Sequence, residues 1–320
     1  MMFNRRVFLG LTGAGVASTA FISSSAQAQI IGGAAFGSWW RAYLPNDSDI
    51  QAAKKEIVRV INKIDASMSP YHSDSELAIL NNAPADRWLQ MSPALTTVLN
   101  EGRKIARVTK GAFDPTVGPI VNKSGFGPIR GALDVCFADF EIGQRALRKP
   151  AETATLDLCG IAKGYALDLM GRALRNLNFN SFLLEAGGEL LAHGSHPDGR
   201  PWQIEVETEA AGPPCRIRLA SGNAIATSGT AYQAGYSGGF VFSHIADPAS
   251  REPVKNSVYS VSVISESALR ADALATAFAV MGPERGLECA RQNNLAVYLQ
   301  LRNGASGKER MSPEFASEVL

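Results

Sequence analysis

The sequence predicts an α+β fold, and three observations carry that expectation. Of 320 residues, 46% are hydrophobic and 19% are charged. The charged share lies below the roughly 25% of an average soluble protein, so a large core can form. Stretches of helical and of alternating periodicity are interspersed without the βαβ rhythm of a doubly wound sheet. Thirty glycines point to tight turns and close backbone approaches. The same figures exclude two classes. A disordered chain would be poor in apolar residues and rich in net charge. A nucleic-acid partner is disfavoured because phosphate recognition needs a basic excess, and the formal charge is only +1.

The first segment reads as an export signal. Asn4-Arg5-Arg6-Val7-Phe8-Leu9 opens a stretch rich in Gly, Ala, Ser and Thr that runs to Ser25, followed by the small-x-small triplet Ala26-Gln27-Ala28. Paired arginines and such a triplet are the marks of a twin-arginine leader, here 1–28, with cleavage after Ala28. The competing readings are an ordinary secretory leader or a membrane anchor, and the anchor fits less well, since a span needs about 20 apolar residues and Gly10, Thr12, Gly13 and Gly15 interrupt this one. Removal of Arg5 and Arg6, with no acidic residue in the leader, shifts the formal charge from +1 to −1. The expected location is therefore the periplasm, with the twin-arginine (Tat) translocase as a partner during export.

Elements follow in order. A strand is expected at 36–43. Ile50, Ala53, Ile57, Val60, Ile61 and Ile64 recur at helical spacing, with Ser48 and Gln51 placed as a capping box. Ser92-Pro93, a cap followed by a proline, starts a second helix that stops near Gly111. A third covers about 161–176 and buries Ala166, Leu169, Met170, Ala173 and Leu174. The fourth and fifth, about 267–281 and 283–293, bring the total to about five. Further strands are expected at 181–186, 189–193, 202–207, 215–219, 257–264 and 295–301. Residues 29–302 form one domain, and the polar segment 303–320 is expected to fray. Cys136, Cys159, Cys215 and Cys289 are too widely spaced for a zinc motif. They read as buried small hydrophobes, with one disulfide left open.

Four segments carry candidate chemistry. The stiff loop Gly111-Ala-Phe-Asp-Pro-Thr-Val-Gly-Pro119 holds one carboxylate, Asp114, suited either to shaping a ligand pocket or to capping a turn. Leu156-Asp-Leu-Cys-Gly-Ile-Ala-Lys-Gly164 runs from strand to helix. Its helix-start N–H groups and Lys163 suit a phosphate, although the GxxxxGK[ST] spacing of a Walker loop is absent and the residues alone favour a purely structural strand–helix junction. Asp272 and Thr276 are i,i+4 neighbours on an apolar helix and offer two oxygens to a hard cation. The competing reading makes Asp272 a partner of the helix dipole. His244, in Ser243-His-Ile-Ala-Asp-Pro248, is a candidate general base or a structural histidine.

Together these segments resemble one family, the ApbE-type FAD:protein FMN transferases. The resemblance spans nearly the whole mature chain: Met68-Ser-Pro-Tyr-His-Ser-Asp-Ser-Glu-Leu77, GAFDPTVGP at 111–119, Gly125-Phe-Gly127, LDLCGIAKGYALD at 156–168, EAGGE at 185–189, ATSG at 226–229, SHIADP at 243–248 and RADALATAFAVMG at 270–282. It implies a single T-fold-like catalytic unit that transfers FMN from FAD to a Thr or Ser hydroxyl of an exported redox protein and releases AMP. It further implies Mg2+, held by the Gly160 carbonyl, Asp272 and Thr276. FAD, as bound substrate, would lie against Met68, Tyr71, the Ala112-Phe113-Asp114 turn, Asp157, Lys163 and His244-Ile245. The catalytic set would be His244, Lys163 and Asp272, with His244 as the base. A relative that binds or hydrolyses FAD without modifying a protein is the alternative. The leader adds a resemblance to the NosX-like accessory transferases of nitrous-oxide respiration, implying a periplasmic or membrane-anchored flavoprotein acceptor such as a NosR-like or Rnf/Nqr-like subunit. Cys159, Ala246 and Thr230-Ala231 depart from the usual pattern, the last on the expected acceptor side.

Overall fold

A computed structural model describes residues 19–20, 28–46, 48–206, 214–229, 235–237, 240–242, 244–302 and 308–320. The expected leader, apart from Thr19-Ala20 and Ala28, lies outside the described residues, as does the Thr230-Ala231 departure. The scaffold is an eight-stranded sheet in the order Lys308–Met311, Ala296–Leu301, Val258–Ser265, Ala224–Gly229, Glu189–His193, Phe182–Ala186, Ser38–Pro45, Ala28–Ala35. Every neighbouring pair is antiparallel.

Period-2 alternation sorts side chains onto the two faces. Phe182, Leu184 and Ala186 point to one core, and Leu183 between them points to the other. The first core is closed by helices: α1 (Ile50–Met68), α2 (Glu76–Asn81), α3 (Pro93–Val108), α4 (Gly118–Lys123), α5 (Ala162–Asn176) and α6 (Ala268–Gln292). α1 packs on α5, α5 on α6, and α5 and α6 on the sheet. The second core lies under the hairpin Trp202–Val206/Cys215–Leu219, where Trp202, Ile204, Ile217 and Leu219 meet Leu190 and Tyr298.

Most expected elements are present, with differences at their ends. α1 is capped by Asp49, whose Oδ1 accepts the Ala52 N–H at 3.0 Å, and not by the expected Ser48 box. Ser92 and Pro93 start α3 as read. The expected fourth and fifth helices are both present as the two segments of α6, which part at Gly282 (φ 76°, ψ 175°) immediately before Pro283. Pro283 cannot donate an N–H to the helix, so the break falls there. Beside the five expected helices, three short ones that were not expected are present among the described residues. The extra three are 6, 6 and 4 residues long, too short to show a period.

The strand Ala28–Ala35 was not expected either, since Gly32-Gly33 and alanines dilute its pattern. The expected frayed tail is corrected. Lys308–Met311 adds the sheet's eighth strand, and Phe315, on α7 (Pro313–Ala316), is fully buried and stacks on Tyr298 with ring centroids 5.2 Å apart. The domain thus extends past residue 302.

Candidate active site at the junction of two helices

α5 and α6 cross at very close range. A Cβ on Gly164 would stand 2.1 Å from the Ala268 carbonyl oxygen, so only glycine allows the backbones this approach. Each helix also supplies a carboxylate to the other's start. Asp272 Oδ2 accepts the Gly164 N–H at 2.9 Å. Asp168 accepts the Ser267 hydroxyl at 2.7 Å and the Ala268 and Leu269 N–H groups at 2.8 and 3.1 Å. These bonds satisfy otherwise orphaned helix-start donors and complement the positive ends of both dipoles.

Lys163, Thr276 and Gly160 add further polar groups at the junction. Asp272 is 3% exposed, and its Oδ1 lies 3.8 Å from Lys163 Nζ. Thr276, one turn further along α6, places its hydroxyl 3.3 Å from Ser228 Oγ on the strand Ala224–Gly229. Gly160 lies over that hydroxyl, since a Cβ there would stand 3.0 Å from Thr276 Oγ1. Lys163 is ion-paired with Glu189 Oε1. Burial would depress the Lys163 ammonium, but Asp272 and Glu189 outweigh it and hold its pKa above the usual lysine value. Glu189 is itself buried, and desolvation pushes its carboxyl up against the opposing pull of Lys163.

Asp157 lies just before this junction. Its backbone N–H donates to the Pro115 carbonyl at 2.6 Å, and its Oδ1 accepts the Cys159 N–H at 2.9 Å. Burial raises its pKa. Tyr71 is close by: desolvation of its phenol, then the charges of Cys159 and Asp157, push its pKa up. The ring is nevertheless 71% exposed, open to stack with a planar ligand.

The loop at 111–119 behaves differently. Asp114 Oδ1 accepts the Thr116 N–H and hydroxyl at 2.7 and 2.6 Å, while Oδ2 accepts the Phe137 N–H at 3.1 Å. Burial raises its pKa against those bonds. Asp114 is therefore the cap of the 3₁₀ turn Pro115–Val117, the second of its two sequence readings. Ala112 and Phe113 are buried in the core, as is Met68, so the turn offers a ligand backbone more than side chain. His244 packs edge-on against Phe126, with ring centroids 6.2 Å apart. Ile245 accepts the Val254 N–H and is buried.

The structure thus brings together Gly160, Lys163, Asp272 and Thr276, with Asp157 and Tyr71 beside them. Three further residues escaped the sequence reading: Glu189, Asp168 and Ser228. The acid directly after Gly187-Gly188 was the available signal for Glu189. No group of three His, Cys, Asp or Glu side chains forms a metal cluster among the described residues. One carboxylate, one hydroxyl and one carbonyl are instead a small set of hard oxygen donors, and they fit Mg2+.

An antiparallel sheet backed by helices, with a polar cluster at a helix–helix junction, defines an α+β protein that is neither barrel nor doubly wound sheet. Residues 36–299 match the model of the ApbE family, and the chain belongs to that family. It is 33% identical to the FAD:protein FMN transferase of Vibrio cholerae, over 85% of this chain and 86% of that one. Its fold is similar to the solved flavin transferase ApbE of Vibrio cholerae, at a TM-score of 0.82 and 31% identity, covering 91% of this chain and 100% of that one. It is likewise similar to the apo flavinyl transferase ApbE of Pseudomonas stutzeri, at 0.83 and 29%, covering 91% and 96%.

Proposed function

We propose that this chain transfers FMN from FAD to a Thr or Ser hydroxyl of an exported redox protein, releasing AMP. The observation that carries the reading is the convergence of Gly160, Lys163, Asp272 and Thr276 at the α5–α6 junction, within a chain of the ApbE family.

The Gly160 carbonyl, Asp272 and Thr276 would hold Mg2+, which when bound neutralises charge on the pyrophosphate. The chain's own residues do the rest. Lys163 sets an ammonium beside the same phosphates. Tyr71 offers an exposed ring to the isoalloxazine. His244 takes the proton of the acceptor hydroxyl. The acceptor oxygen bonds to the phosphorus of the FMN half as the bond to the bridging oxygen breaks. AMP leaves with that oxygen and its electron pair. Such transfer rests chiefly on positioning and charge neutralisation.

The export reading belongs to the same proposal. A twin-arginine leader carries the folded protein to the periplasm, where a NosR-like or Rnf/Nqr-like flavoprotein subunit is the acceptor. Incubation with FAD, Mg2+ and such an acceptor gives a fluorescent protein band in a denaturing gel, and a chelator abolishes it. AMP and free FMN without a labelled band would make the chain a hydrolase instead. Changing Arg5 and Arg6 to lysine strands the protein in the cytoplasm; unchanged export would remove the twin-arginine reading.

A further inference from the structure

Glu189 is the one buried carboxylate at the junction that the proposed chemistry does not use. It is 2% exposed. Oε1 pairs with Lys163, and Oε2 is buried with no hydrogen-bond partner. A buried ionisable group in this state is costly unless it balances a charge. The backbone is shaped around the pair. Gly187 and Gly188 turn the chain at φ 63° and 102°, and a Cβ on Gly187 would stand 3.3 Å from Glu189 Oε2 and 3.4 Å from Lys163 Cδ.

The consequence lies in what Lys163 would otherwise do. Its next anionic neighbour is Asp272 Oδ1, at 3.8 Å. Asp272 Oδ2 is already occupied by the Gly164 N–H, so Oδ1 is the oxygen left for a cation. An ammonium drawn onto Oδ1 would compete with that cation for the same atom, and the attraction is strong where water is scarce.

We propose that Glu189 is a positioning residue that holds Lys163 off Asp272 and so keeps the carboxylate oxygen open for the divalent cation. The inference rests on the reading of Gly160, Asp272 and Thr276 as a cation site. Lys163 and the cation then sit side by side, each with its own carboxylate, and both remain available to one pyrophosphate.

A double-mutant cycle on cation binding tests this. Mn2+ is titrated into the full chain by calorimetry, without FAD. The wild type binds and Asp272→Ala does not. Glu189→Gln weakens binding about tenfold by releasing Lys163 onto Asp272. In a Lys163→Met background the same change alters binding less than about twofold, because the competitor is gone. Should the Gln variant not fold, Glu189→Asp withdraws the carboxylate by one methylene and keeps its charge. It too weakens binding only when Lys163 is present. An equal loss in both backgrounds would make Glu189 a direct ligand or simple field, and no loss in either would leave it without this role; both overturn the inference. A wild type that fails to bind Mn2+, or an Asp272→Ala variant that binds normally, defeats the cation site itself, and the inference with it.

Discussion

Two carboxylates in the site motifs differ in what their oxygens already do. At the 111–119 loop, both Asp114 oxygens are taken, by Thr116 on one side and Phe137 on the other. At the α5–α6 junction, Asp272 gives one oxygen to the Gly164 N–H and keeps the other beside Lys163. Each is a lone acid in a motif of small or apolar residues, and each lies mostly out of solvent. The difference teaches that a buried acid can fix a turn or serve a ligand, and that counting its satisfied lone pairs separates the roles. Asp114 fixes the 3₁₀ turn Pro115–Val117, whereas Asp272 keeps an oxygen that the proposed cation site would use.

This contrast can be broken by substitution. Of three substitutions around Asp272, the largest effect is expected from Lys163→Met, which removes the ammonium beside the open Asp272 oxygen. FMN transfer falls about 100-fold or more in kcat, the scale of losing one preorganised charge partner. A loss under about threefold would show that the junction's electrostatics do not reach the substrate. Gly164→Ala comes next, because its Cβ would meet the Ala268 carbonyl oxygen at 2.1 Å. Parting α5 from α6 costs about 3 kcal/mol of stability, read by urea unfolding. A neutral outcome would mean that the two helices can slide apart freely, and that the junction is not rigid. Asp168→Asn is the mildest of the three. It weakens bonds to three donors at the start of α6 and costs about 1 to 2 kcal/mol. Wild-type stability there would assign the positioning of Asp272 to packing alone.

How much of this was legible in the sequence depended on the range of the interaction. α1, α3 and α5 follow from local apolar periodicity, α3 from its Ser92-Pro93 start as well, and the Gly282-Pro283 break follows from backbone chemistry. The i,i+4 spacing of Asp272 and Thr276 already placed two oxygens on one helical face. What the residues alone did not show was that Gly160, 116 positions from Thr276, closes over its hydroxyl, since that depends on how α5 and α6 cross. Asp168 stood in view inside the LDLCGIAKGYALD stretch, yet its partners lie 99 to 101 residues away. Glu189 was hidden for the same reason: nothing local announces an ion pair with Lys163. The tail was misread because polar composition masks one deeply buried aromatic, Phe315.

The most direct measurement sets the two carboxylates against each other in one assay. FMN transfer from FAD to the same acceptor, at saturating Mg2+, is followed for Asp272→Ala and for Asp114→Asn, with folding checked by circular dichroism. The account predicts a loss of about 1,000-fold or more for Asp272→Ala, as expected when a bound cation's charge stabilisation is removed. It predicts a change of less than about tenfold for Asp114→Asn, whose amide can still accept for the turn. Equal losses in two folded variants, or a transfer rate in Asp272→Ala close to that of the wild type, would contradict it.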